Sequence, residues 1–236
     1  MNDHPIPRRV VAIAAHPDDL DFGCAGTLAL WARQGAEVTQ LLVTSGDKGF
    51  EDDRPLEEKQ EIREREQRAA AREIGARAPH FLRFPDGEVE NTPALRREIV
   101  RVLRAVRPDT VLSFDPANLA FDNFYRYHPD HRAVAMAAYD ALYPATGNRN
   151  FFPDLLLEGL EPHKVKVAYF ISPSQPDVWI DISSTFDRKV AALRAHASQI
   201  RDPEAIAEYV ADWARRVGAP KGLALAESFR RLEVPD

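Results

Sequence analysis

Apolar runs of strand length alternate along the chain with longer stretches whose apolar positions recur at helical spacing. The strand-like runs are Arg9–Ala15, Glu37–Thr44, His80–Phe84, Thr110–Phe114, Val165–Ile171 and Val178–Ile182. The helical stretches are Gly23–Gln34, Leu56–Ile74, Pro93–Val106, Asp130–Leu142, Thr185–Ser198 and Pro203–Gly218. Gly35 and Gly75 follow the first two helices as stops, and Pro108-Asp109 separates the third from the next strand. This alternation predicts an α/β fold: a mostly parallel sheet with helices on both faces. No repeat or low-complexity tract interrupts it. Phe114–Tyr127 and Tyr143–Lys164 are long irregular stretches rich in aromatics, Asn and Pro. Loops of that length often carry function, although a covering loop or an oligomer contact explains them equally well.

In open α/β sheets, ligands sit beyond the carboxyl ends of the strands. His16–Asp19 follows the first strand, Ser45–Phe50 the second, Pro85-Asp86-Gly87 the third, and Asp115 onward the fourth. His128–His131 then opens a helix. These polar residues are expected to converge on one edge of the sheet.

Composition narrows the class. A length of 236 residues suits one α/β domain, taken here as 1–236. With 44% hydrophobic and 29% charged residues the chain reads as a soluble globular protein. A net charge of −6 is a poor match for nucleic acid or an anionic membrane. Cys24 is the single cysteine, so there is no internal disulfide framework. Met1–Arg9 has no signal-peptide hydrophobic region, and the apolar runs are too short to cross a bilayer. A cytoplasmic enzyme acting on a small molecule is expected.

Two clusters carry candidate chemistry: His16-Pro17-Asp18-Asp19 and His128-Pro129-Asp130-His131. Taken together, His16, Asp19 and His131 supply two imidazoles and one carboxylate for a divalent metal. Such a set leaves the ion net positive and able to activate water. Asp18 and His128 remain as an acid–base pair. Asp18 and Asp19 are adjacent, so one carboxylate can ligate while the other accepts a proton. Pro17 and Pro129 stiffen both turns. Either cluster alone would be an ordinary turn with a helix cap; both in one α/β chain point to metal-assisted hydrolysis.

Ala15-His16-Pro17-Asp18-Asp19 with Gly23-Cys24-Ala25-Gly26-Thr27 resembles the signature of the PIG-L/LmbE-like N-deacetylases, and His128-Pro129-Asp130-His131 is similar to that family's second motif. Lesser matches are Thr44–Gly49, Arg63 and Glu66 before Ala69-Ala70, Ile74-Gly75, Phe84-Pro85-Asp86, His196–Gln199 and Ala226–Arg230. The resemblance implies a Rossmann-like fold and a zinc ion, with iron(II) or cobalt(II) compatible with the same ligands. It implies removal of an N-acetyl group from an N-acetylglucosamine-type amino sugar. Carried over by position, His16, Asp19 and His131 are the metal ligands and Asp18 the general base. His128 stabilises the oxyanion or acts as the acid, protonated in the first role, with Asp130 orienting its ring. Arg63 and Asp86 match positions that grip sugar hydroxyls. His196 matches a residue that reaches a neighbouring subunit's site, which, with the aromatic-rich Asn148–Phe152, points to a homo-oligomer. Two departures stand out. Leu20 replaces an acidic residue, with Asp21 one further on. Arg126, flanked by Tyr125 and Tyr127, stands where some members place a tyrosine.

Three rivals remain open. Two histidines and a carboxylate also form the facial triad of a non-haem iron oxygenase, which would need oxygen and a 2-oxoacid. A non-catalytic metal-bound sensor or scaffold would turn over no acetylated amine. Within the hydrolases, an amidase acting on a larger sugar-linked conjugate, a thiol adduct or glycopeptide, fits the long loops.

Overall fold

The computed structural model describes residues 5–118, 124 and 127–235. Seven strands form one sheet in the order β3-β2-β1-β4-β5-β7-β6. They are β1 Arg9–Ala14, β2 Glu37–Leu42, β3 His80–Phe81, β4 Thr110–Phe114, β5 Val167–Ile171, β6 Val178–Asp181 and β7 Ala226–Glu233. Strands β1 to β5 pair in parallel, and β7 runs antiparallel between β5 and β6. The helices are α1 Asp19–Arg33, α2 Leu56–Glu73, α3 Pro93–Val106, α4 Pro129–Asp140, α5 Asp154–Leu157, α6 Phe186–Arg194 and α7 Pro203–Gly218.

The central strand shows why both faces are covered. Val10, Ala12 and Ala14 join a core with α1, Ala70 and Ile74 of the α2 region, and Ala192 and Ala214 of α6 and α7. Val11, Ile13 and Ala15 join the opposite core with Leu95, Ile99 and Leu103 of α3 and Val134 and Ala138 of α4. Alternating residues thus feed two cores, as a parallel strand between helix layers requires. Helix α1 lies unusually close to the sheet. A Cβ on Gly26 would come within 2.8 Å of Ile182 Cδ1, and one on Gly23 within 2.8 Å of Ile171 Cδ1.

Strand β7 was not foreseen; its residues entered only as part of a motif. The motif serves packing: Glu227 accepts hydrogen bonds from Gly26 N (3.1 Å) and Thr27 N (2.8 Å) and pairs with buried Lys189 at 2.7 Å. The third strand is shorter than the expected His80–Phe84. Helix α1 starts at Asp19, ahead of the expected Gly23, and α6 ends at Arg194, short of the expected Ser198. The second long segment is not a free cover. Buried Arg104 of α3 donates to the carbonyls of Ala145, Thr146, Asn148 and Phe151, tying it to the domain. Among the described residues, no helix is long and apolar enough to cross a membrane.

The strand order places the site. Successive strands run outward from β1 to β3, then the chain returns to β4 on the other side of β1. The order reverses at β1, and ligands of open α/β sheets bind outside the strand ends at such a reversal. The first His–Asp cluster follows β1 directly.

Candidate active site

After β1 the chain turns sharply into α1. Asp18 adopts a left-handed backbone, φ 87°, and caps the helix. Its carbonyl accepts from Asp21 N (2.8 Å) and Phe22 N (3.0 Å), while His16 N donates to Asp19 Oδ2 (2.7 Å). The second cluster caps α4: His128 Nδ1 accepts from Asp130 N (3.2 Å), and Pro129 occupies the first helical turn. Both clusters therefore sit at helix N-termini, whose positive ends favour carboxylates and a developing anion.

The fold brings the expected ligands together from opposite helices. His131 Nε2 lies 3.0 Å from Asp19 Oδ1 and 3.2 Å from His16 Nδ1, and His16 Nδ1 lies 3.3 Å from Asp19 Oδ2. Donor atoms sharing a tetrahedral ion at about 2.0–2.1 Å stand roughly 3.3 Å from one another. The set therefore fits a zinc-sized cation. A nitrogen of His128 also lies within 4.8 Å of nitrogens of His16 and His131. Asp19 is the closer third donor, and His128 stands beside the triad.

His16 presents Nδ1 to the site and Nε2 to the protein. That second nitrogen lies 3.1 Å from Asp130 Oδ2 and 3.1 Å from Asp86 Oδ1. Burial would lower the His16 pKa, but Asp130, Asp19 and Asp86 raise it well above the usual value. The expected roles of two acids change as a result. The Asp130 carboxylate faces His16 and the amides of Gly87 (2.7 Å) and Val89 (3.3 Å) rather than orienting the His128 ring. Asp86, expected to grip a sugar hydroxyl, accepts from Lys48 N (2.7 Å) through its other oxygen and is 6% exposed. Both carboxylates hold the His16 ring. Phe114 stacks on His131, 4.4 Å between centroids at 16°.

Asp18 contributes a second carboxylate, held by Arg63. Burial raises its pKa, and the Arg63 guanidinium works against that rise. Arg63, also expected to hold sugar hydroxyls, is buried and donates Nη2 to Pro17 O (2.6 Å) and Asp18 Oδ2 (3.2 Å). His128 has its pKa lowered by burial and by neighbouring His16 and His131. With Nδ1 accepting a backbone N–H, the neutral ring carries its hydrogen on Nε2. In either protonation state that ring can offer an Nε2–H.

His196 does not reach outward. It is 0% exposed and meets Asp21 Oδ2 of its own chain at 2.9 Å. Burial pulls its pKa down, but Asp21 lifts it above the usual value. Leu20 packs in the core, and Asp21, in the first turn of α1, is fully buried. Tyr125 and Arg126, at the second departure, lie outside the described residues. Sequence reasoning missed Gln67, which bonds the Asp18 backbone from α2. No local pattern marks it, since its partners are distant in the chain.

Comparison with known proteins places the chain in a family. A family model described as GlcNAc-PI de-N-acetylase (PIG-L) matches residues 11–142. The chain is 33% identical over 228 residues to a diacetylchitobiose deacetylase of Thermococcus kodakarensis, covering 94% of this chain and 82% of that protein. It is 30% identical over 234 residues to a 1D-myo-inositol 2-acetamido-2-deoxy-alpha-D-glucopyranoside deacetylase of a Mycobacterium species, covering 81% and 74%. The N,N'-diacetylchitobiose deacetylase structure from Pyrococcus horikoshii superposes with a TM-score of 0.86 at 27% identity, covering 96% of this chain and 84% of that one. With the family model spanning both His–Asp clusters and the fold shared across nearly the whole chain, this protein belongs to the PIG-L de-N-acetylase family.

Proposed function

We propose that the protein is a zinc-dependent hydrolase that removes the N-acetyl group from an N-acetylglucosamine-type amino sugar or its conjugate. The observation that carries this reading is the triad His16, Asp19 and His131, with donor atoms 3.0–3.3 Å apart, and the Arg63-held carboxylate of Asp18, adjacent to Asp19 in the chain. Relatives that act on acetylated glucosamine compounds support the substrate class.

A divalent ion held by the triad would acidify a water and polarise the acetamide carbonyl. Asp18, lifted by burial, accepts the proton of the attacking water. The water oxygen bonds to the acetyl carbon, and the carbonyl π pair moves onto its oxygen. The Nε2–H of neutral His128 donates to that oxygen; one such donor typically contributes a few kcal/mol. The C–N bond then breaks, its electron pair leaving with the sugar nitrogen. The oxyanion pair re-forms the carbonyl as Asp18 returns its proton to that nitrogen, giving a free amine and acetic acid, which ionises to acetate in water. Arg63 aims Asp18, while Asp130 and Asp86 hold His16 in the tautomer that turns Nδ1 to the ion.

Exposed Met136, Tyr139 and Tyr143, on and just after α4, support a homo-oligomer, and the cytoplasm is the proposed location. The test of function is amine release by metal-stripped protein, with and without zinc, from N-acetylglucosamine, diacetylchitobiose and a glucosaminyl-inositol. Zinc-restored release from any of them supports the proposal. Zinc binding without release would shift the substrate to a larger conjugate, and failure to bind zinc would refute the ligand assignment.

A further inference from the structure

The left-handed backbone of Asp18 needs an explanation, because this region is unfavourable for a residue with a side chain. Such a conformation persists only where the surroundings fix it. On its helix side the Asp18 carbonyl is held by the first amides of α1. Its N–H donates to Gln67 Oε1 of α2 at 2.8 Å. Gln67 lies on α2, is 0% exposed, and touches none of the three proposed metal ligands through these bonds.

The Gln67 amide has one orientation that suits all its partners. Its Nε2 donates to Asp21 Oδ2 (3.0 Å) and Gln40 Oε1 (3.1 Å), both acceptors. A flipped amide would set its oxygen against the Asp21 carboxylate and its NH2 against the Asp18 N–H, losing every bond. Asp21 is itself held by His196, which is anchored at the end of α6. A buried chain therefore runs from His196 through Asp21 and Gln67 to the Asp18 backbone. Asp18 has two soft dihedrals between Pro17 and the helix, and a shift in either would swing its carboxylate away from the site.

We infer that Gln67 is a positioning residue, acting through the Asp18 N–H to aim the general base, with Asp21 and His196 as its support. This rests on the role proposed for Asp18. It assigns His196 an effect inside its own chain, where the family resemblance pointed to a neighbour.

The test compares Gln67→Met with Gln40→Met. Both remove a buried amide from the same cluster, but Gln40 has no bond to Asp18. In zinc-loaded protein with diacetylchitobiose as substrate, Gln67→Met should lower kcat by about 10- to 100-fold with KM within about twofold, since small misplacements of a reacting group cost that much. Zinc content should stay at the wild-type level, and Gln40→Met should keep kcat within about twofold. Equal loss in the two variants would reduce Gln67 to packing and overturn the inference, as would wild-type kcat in folded Gln67→Met. A second readout needs neither activity nor a variant. The Asp18 amide should be strongly protected from hydrogen exchange in the wild type, and a freely exchanging amide there would overturn the inference. If the wild type releases no amine from any substrate, the proposed activity fails, and the exchange measurement still decides what holds Asp18.

Discussion

His16 is gripped from both sides of its ring. Nδ1 faces Asp19 and His131, while Nε2 faces Asp130 and Asp86. Removing an outer carboxylate loosens the ligand without touching the donor set, so Asp130→Asn should weaken zinc binding by about 10- to 100-fold. Had Asp130 oriented His128 instead, the variant would lose turnover at unchanged zinc affinity; competition against a chelator separates the two. Asp18→Ala should abolish turnover yet retain zinc, and His131→Ala should lose both, read by metal content and amine release. Near-native turnover in Asp18→Ala would remove Asp18 as the base. At this scale the sequence showed which residue types converge, because each cluster is local. It did not show which atom faces which. Asp130 lies two residues from His128 yet spends its carboxylate on His16, more than a hundred residues away. Arg63 and Asp86 likewise turned inward, since both are buried against the clusters they were expected to stand beside.

At the scale of elements, two ties position the walls of the site. Glu64 of α2 accepts from Ser45 (2.9 Å), Arg83 (2.8 Å) and Arg68 (2.8 Å), joining α2 to the loops after β2 and β3. Burial pushes its pKa up, but these three partners overcome that and bring it down to about 2. A carboxyl depressed in the folded state stabilises above its unfolded pKa, and that stability is lost as pH falls through the folded value. The contribution should therefore be full above about pH 5 and fade towards pH 2. Discounted for the exposed arginines, it is on the order of 1–2 kcal/mol. Denaturant melts of wild type and Glu64→Gln should differ at pH 7 and converge near pH 2. Arg104 is the second tie. Its replacement by Met would strip four carbonyls of a buried donor at a cost of about 3 kcal/mol or more, lowering the denaturation midpoint. Arg104→Lys should recover little, because a single ammonium cannot span the fork.

The elements missed in the sequence share a cause. In β7 the apolar residues Phe229 and Leu232 stand three apart among Glu and Arg, a spacing that does not read as a strand. It becomes one because β5 and β6 each offer an unpaired edge to it. Helix α6 stops before His196 because that side chain turns inward to Asp21. The parallel strands were legible because their runs are apolar and bounded by turns, properties each segment carries by itself.

For the whole molecule, the reversal of strand order at β1 is what makes a single site from distant segments. It sets the end of β1 beside β4, so that α1 and α4 direct their N-termini at one point, and the loops after β2 and β3 close from the side. Convergence on one sheet edge was readable from the alternation of strands and helices. The antiparallel insertion of β7 was not, and it lies away from the triad. The central claim is that one ion on His16, Asp19 and His131 is necessary and sufficient to switch on deacetylation. The most direct measurement adds zinc stepwise to metal-stripped protein and follows amine release from diacetylchitobiose. Release should start from zero, rise in proportion to zinc, and stop rising at one ion per chain. Undiminished release before any zinc is added, or a rise that continues to two ions per chain, would contradict the account.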